Sequence, residues 1–140
     1  MSLQHYYTLS SHHRYLWYIS YGHLGSAMVA MYYNKPFYAM TSGVASITST
    51  IYWAKPENNW KRKLDITWII FCYFSQLFTA HHYENTPQFY GLMLVSGLNY
   101  PISNYLLYKQ QYIASTFVHG LIHIIAIIAN IILYSSNAKK

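Results

Sequence analysis

The chain has 140 residues, nine Lys+Arg against three Asp+Glu, and one cysteine, Cys72. Charged residues make up 9% where ordinary soluble proteins carry roughly a quarter, and apolar residues reach 54% with 17 tyrosines and 4 tryptophans. An intrachain disulfide is excluded, the scattered basic residues are not a nucleic-acid patch, and one domain over 1–140 is expected. The composition is that of a membrane protein, with Tyr and Trp suited to the headgroup zones.

The start, MSLQHYYTLSSHHR, has no early positive region and no Leu-rich core, so no cleaved signal peptide is expected. Five segments free of Lys, Arg and Glu follow, each long enough at about 1.5 Å per residue to cross roughly 30 Å of hydrocarbon. They predict an all-α, polytopic membrane bundle of about five helices, at 15–33, 36–54, 64–83, 87–108 and 112–134. The first carries His23 among Gly22, Gly25 and Ser26, small residues that suit close helix contact. The second ends in ASITSTIYW, with Ser46, Ser49, Thr50 and Tyr52. The third opens on LDITW after Lys61, Arg62 and Lys63, and its Asp65 is the only charged residue inside any span. His81 and His82 stand beside Glu84 at its far end, where solvation is expected. Pro101, close to Gly97 and Asn99, predicts a kink in the fourth. The fifth, ending STFVHGLIHIIAIIANIILY, places His119 and His123 four residues apart on one helical face.

The connections Asn34-Lys35 and Lys109-Gln110-Gln111 are short, so their helices should pack antiparallel. Arg14, Lys55, Lys61, Arg62, Lys63 and Lys109 then fall on one side, and Lys35, Lys139 and Lys140 on the other. The excess of positive charge puts the first side, with the N-terminus, in the cytoplasm and the C-terminus outside or in a lumen.

In this topology His23, Ser46, Ser49, Asp65, His119 and His123, from four helices, lie in the cytoplasmic half of one bundle. Two neutral imidazoles and a carboxylate have the chemistry of a zinc or non-haem metal site, with a fourth position open to water. Each residue also has a purely structural reading. Ser46 and Thr50 can bond the carbonyl one turn back. His23 can be a packed core histidine. Asp65 can be a carboxylate at the positive end of its helix dipole. The spacing H-x-x-x-H lacks the glutamate of a zincin and is a weak motif alone.

STIYW from Ser49 to Trp53, RKLDITWIIFCYF around Asp65 and HGLIH from His119 to His123 resemble three blocks of the haemolysin III and progestin/adiponectin receptor proteins. These are grouped with the alkaline ceramidases as membrane-embedded metal-dependent hydrolases. The resemblance covers about half of the chain. It implies that Ser49, Asp65, His119 and His123 occupy the family's positions, with zinc as cofactor. Trp53 stands where the family has its first histidine, and five helices stand where the family has seven. The missing ligand leaves a degenerate site, or one rebuilt from His119, His123 and Asp65 or His23. A shortened bundle could close its cavity by self-association.

Three functions are weighed. The first is a degenerate, non-enzymatic relative that binds lipid or a partner and keeps the polar cluster as a hydrogen-bond network. The second is a zinc-dependent hydrolase of a lipid amide or ester, in which metal-bound water attacks, Asp65 accepts the proton and Ser49 steadies the oxyanion. The third is a small channel or proton relay, since intramembrane Asp and His mark such paths. Trp53 favours the first. A retinal protein is disfavoured because no span contains a lysine.

Overall fold

A computed structural model of the chain describes residues 13–57 and 59–139. Residues 1–12 and Lys140, on which the expectation about a leader and part of the charge count rest, lie outside the described residues. The described chain is all-α, with helices α1 (His13–Ser20), α2 (Gly22–Tyr32), α3 (Pro36–Ala54), α4 (Trp60–Thr79), α5 (Thr86–Tyr108) and α6 (Tyr112–Tyr134). A single 3₁₀ turn, Ala80–His82, follows α4. The five predicted segments correspond to these helices, α1 and α2 together forming the first.

The break between α1 and α2 has a local cause. The Leu24 N–H bonds the Tyr21 carbonyl at 3.0 Å, three residues back instead of four. The carbonyl of Ser20 is thereby released, and it accepts the Ser46 hydroxyl of α3 at 3.0 Å. Ser20 itself turns its hydroxyl back onto the Leu16 carbonyl at 2.8 Å, a bond that tends to bend helices. Just past the break, Gly22 packs on Ile127 of α6: a Cβ there would lie 2.6 Å from Ile127 Cδ1, so a larger residue would make the end of that side chain turn aside. Gly25, which the sequence pattern groups with Gly22, has nothing within 4 Å of its would-be Cβ and faces outward.

Both short connections end their preceding helix in the same way. Lys35 N–H bonds the Ala30 carbonyl and Asn34 N–H the Met31 carbonyl; Gln111 N–H bonds the Leu106 carbonyl and Gln110 N–H the Leu107 carbonyl. This paired pattern is the Schellman motif, which needs a left-handed residue after the helix. Asn34 (φ 53°) and Gln110 (φ 60°) supply it. The next helices start at once, α3 with Pro36 in its first turn. α4 is capped by Asn59, whose side chain accepts the Lys61 N–H at 2.9 Å. α5 runs from Thr86 to Tyr108 without interruption through Pro101.

α2 and α3, and likewise α5 and α6, form antiparallel hairpins; α4 packs on α3, and α6 packs on α1 and α2. One end of the bundle is strapped by the last residues. Tyr83 and Ala138 form an antiparallel bridge, and the Lys139 N–H bonds the His82 carbonyl at 2.8 Å. Lys35 reaches into this end, donating to the carbonyls of Leu133 (3.3 Å) and Ser136 (2.6 Å). Its ammonium also lies 3.9 Å from the centre of the Tyr83 ring. A cation on the terminal carbonyls of α6 meets the negative end of that helix, while partial burial holds the lysine pKa below its usual value.

The bundle is inside out relative to a soluble domain. Among the described residues, 18 polar or charged side chains are buried against 14 apolar ones, whereas soluble interiors are dominated by apolar residues. Large apolar side chains instead cover the outside, including Ile47, Phe74, Phe78, Leu98 and Ile113. Among the described residues one helix, α6, is long and apolar enough by length and composition to cross a membrane, with a mean hydropathy of 2.2.

Candidate functional site

Asp65 lies inside α4, beyond the first turn that Asn59 caps, and is 5% exposed. Its reading as a carboxylate serving the helix N-terminus is therefore corrected, since Asn59 performs that role. Asp65 Oδ1 instead accepts two hydroxyls from α3, Ser49 Oγ at 2.6 Å and Thr48 Oγ1 at 3.0 Å. The depth argument from the sequence brought Ser49 and Asp65 together correctly. It missed Thr48, whose only signal was its place beside Ser49.

The histidines form a separate group. His23 Nε2 of α2 and His123 Nδ1 of α6 are 3.2 Å apart and share one hydrogen, the donor depending on the tautomer. The His119 ring centre is 5.3 Å from that of His123, as the i, i+4 spacing requires. On its other side the His119 ring meets Trp53 edge-on at 5.4 Å. Trp53 is buried, packed with Leu16, Trp17 and Tyr52. Among the described residues no hydrogen bond joins Asp65 to an imidazole, and its partners there are the two hydroxyls.

A zinc ion needs three or four lone pairs aimed at a point about 2 Å from each. Among the described residues, no group of three or more His, Cys, Asp or Glu side chains is placed to hold a metal. His123 turns Nδ1 toward His23, and beside His119 stands an indole, whose N–H is a donor only. What the geometry does supply is hydrogen bonding between helices.

That bonding extends beyond the residues singled out from the sequence. Tyr134 Oη lies 2.8 Å from Ser42 Oγ and accepts Gln76 Nε2 at 2.7 Å, joining α6, α3 and α4. Ser103 and Ser115 exchange hydroxyl-to-carbonyl bonds at 3.1 and 2.9 Å, fastening α5 to α6. Gln76, uncharged but strongly polar in an apolar run, was a signal that sequence reading could have used; Tyr134 looked like an interfacial end residue and gave none. Ser46 bonds across to Ser20, not one turn back as expected, while the Thr50 hydroxyl is buried with no partner among the described residues. His81 and His82 are exposed, as expected, with His81 Nδ1 2.6 Å from the Phe78 carbonyl.

The Asp65 cluster generates a direct test. Ser49→Ala and Thr48→Val each remove one donor from a buried acceptor, and each is expected to lower stability by about 1–3 kcal/mol. Reversible unfolding in mixed micelles measures this, and the cycle with Asp65→Asn should show a coupling of at least about 0.5 kcal/mol. Strict additivity would contradict the shared contact.

Comparison with protein-family models, with characterised proteins and with solved structures returns no match, so the likeness to the haemolysin III family stands on its three short blocks alone.

Proposed function

We propose that this chain is a multi-pass membrane protein of five crossings whose polar interior holds helices together and does not carry out hydrolysis. Its outer surface contacts lipid acyl chains and partner proteins. The carrying observation is the reversal of polarity, with many Ser and Thr and His23, His123, Asn130, Gln76 and Asp65 turned inward while large apolar side chains such as Ile47, Phe74, Phe78, Leu98 and Met28 face out. In water such a surface would drive aggregation; in hydrocarbon it is the stable arrangement, and inward polar groups must then bond one another.

The mean hydropathy of a helix does not register this. Averaging over α3 counts Thr41, Ser42, Ser46, Thr48 and Ser49 against it, although all five are buried and would never meet lipid. In α4, Asp65 and Gln76 are likewise buried. What lipid would touch is the outer face alone.

Orientation rests on charge. Lys55, Lys61, Arg62, Lys63 and Lys109, with Arg14, belong to the end away from the strap and support a cytoplasmic N-terminus. Lys35 counts for less on the opposite side, because its ammonium is occupied by helix carbonyls. With Cys72 replaced by serine, Glu57→Cys should label from the cytoplasmic face and Lys139→Cys from the other. Labelling of both from one face would contradict three crossings between them.

The hydrolase reading requires His119, His123 and Asp65, or His23, on one ion. Elemental analysis of purified protein separates the two. The expected result is no stoichiometric zinc in the wild type, zinc gained in Trp53→His, and its loss when His123→Ala is added. Stoichiometric zinc in the wild type that disappears in His23→Ala would overturn the non-enzymatic reading.

A further inference from the structure

The buried stripe of α4 is narrow, consisting of Asp65, Cys72 and Gln76. At about 100° per residue these three fall within about 40° of one another around the helix. The opposite face carries Trp60, Lys63, Leu64, Phe71, Phe74 and Phe78, all exposed. From Leu64 to Phe78 that face is the apolar surface that lipid would touch. Its first turn differs, because Trp60, 63% exposed, stands there with Lys63. Lys61 and Arg62, both partly exposed, lie at successive steps of about 100°, so the three cations fan around more than half of the helix start.

Among the described residues none of the three has a carboxylate at ion-pair distance. Asp65 is buried on Ser49 and Thr48. Glu57 is held by Lys55 at 2.8 Å and feels Lys61 only at longer range. Helix chemistry does not account for them either, since Asn59 caps α4 and cations at that end oppose its dipole. Arg14 and Lys109 stand at the same end of the bundle, so the rim as a whole is basic. Its charge calls for an anionic partner, and its place at the edge of an apolar face calls for an anion tethered to hydrocarbon. The Trp60 indole suits the depth where the two meet. We infer that the start of α4 is a docking site for an anionic phospholipid, its headgroup at Lys61, Arg62 and Lys63 and its acyl chains along Leu64, Phe71 and Phe74. The site rests on the membrane reading and adds a lipid class to it. A zwitterionic headgroup brings its own cation and gains little from three unpaired charges.

The test uses the full chain in phosphatidylcholine bilayers doped with spin-labelled phosphatidic acid or spin-labelled phosphatidylcholine, since lipid held at a protein surface loses mobility. Both labels should show a motionally restricted component. Phosphatidic acid should associate more strongly by roughly fivefold, the effect of about one cation near a membrane surface. That preference should vanish at about 1 M salt, where the screening length is only about 3 Å. It should also vanish in the combined variant Lys61→Gln, Arg62→Gln, Lys63→Gln and persist in Lys139→Gln at the strapped end. Equal association of the two labels, or a preference that survives the combined variant, would overturn the docking site and leave the membrane reading standing. No restricted component from either label would overturn the membrane reading, and the site with it. A preference abolished by inorganic phosphate, but not by chloride at equal ionic strength, would mean a site for free anions and would overturn lipid docking. Should the combined variant fail to fold, Lys63→Gln alone carries the same comparison.

Discussion

Many of the hydroxyls and imidazoles turned into this bundle bond a partner on another helix, and those bonds set how the helices they join lie against each other. Ser46 bonds the Ser20 carbonyl, Ser49 and Thr48 bond Asp65, Ser42 meets Tyr134, Ser96 bonds the Ile122 carbonyl and His23 meets His123. Bonds between neutral partners average about 0.6 kcal/mol apiece between membrane helices, and the bonds to the buried Asp65 carboxyl count for more, so no single neutral bond holds the structure. Their directionality matters more. A slide of one residue along either helix would break several together, and register is fixed as a result.

The same bonding explains the irregularities. The Ser20 carbonyl is free for Ser46 only because the Leu24 N–H bonds one residue ahead of its helical partner, and that misplaced bond is the break at Tyr21. Lys35 is the counterpart at the strapped end, where the last carbonyls of α6 lack helical partners and a cation serves them. There the C-terminal residues, the α2–α3 turn and the α4–α5 connection are fastened together. The opposite end shows the contrasting chemistry, with a solvent-facing Lys55–Glu57 ion pair at 2.8 Å beside the basic start of α4.

Helix extents and depths were legible in the sequence, because charges and turns punctuate the apolar segments and residue counting then gives depth. Ser49 opposite Asp65 follows from depth alone. Azimuth was not legible. Each residue advances about 100° around its helix, so the direction of His23 depends on the break at Tyr21, which no local signal announced. His119 and His123 share a face as their spacing requires, yet one meets Trp53 and the other His23. Common depth brought His23 to His123 and Ser49 to Asp65, but it does not by itself say which nitrogen of a ring faces a neighbour. Gly22 and Gly25 repeat the lesson, one pressed on Ile127 and the other open, although the sequence treats them alike.

The central claim is that the apolar exterior is a lipid-facing surface, and nitroxide accessibility measures that surface most directly. Spin labels at Ile47, Phe74 and Leu98, each introduced on a Cys72→Ser background in lipid bilayers, would be compared for collision with oxygen and with a water-soluble nickel chelate. The account predicts high oxygen and low nickel accessibility at all three positions, with the reverse at Glu57. Nickel accessibility at Phe74 or Leu98 as high as at Glu57 would mean that these faces meet water, and the membrane-spanning bundle would be contradicted.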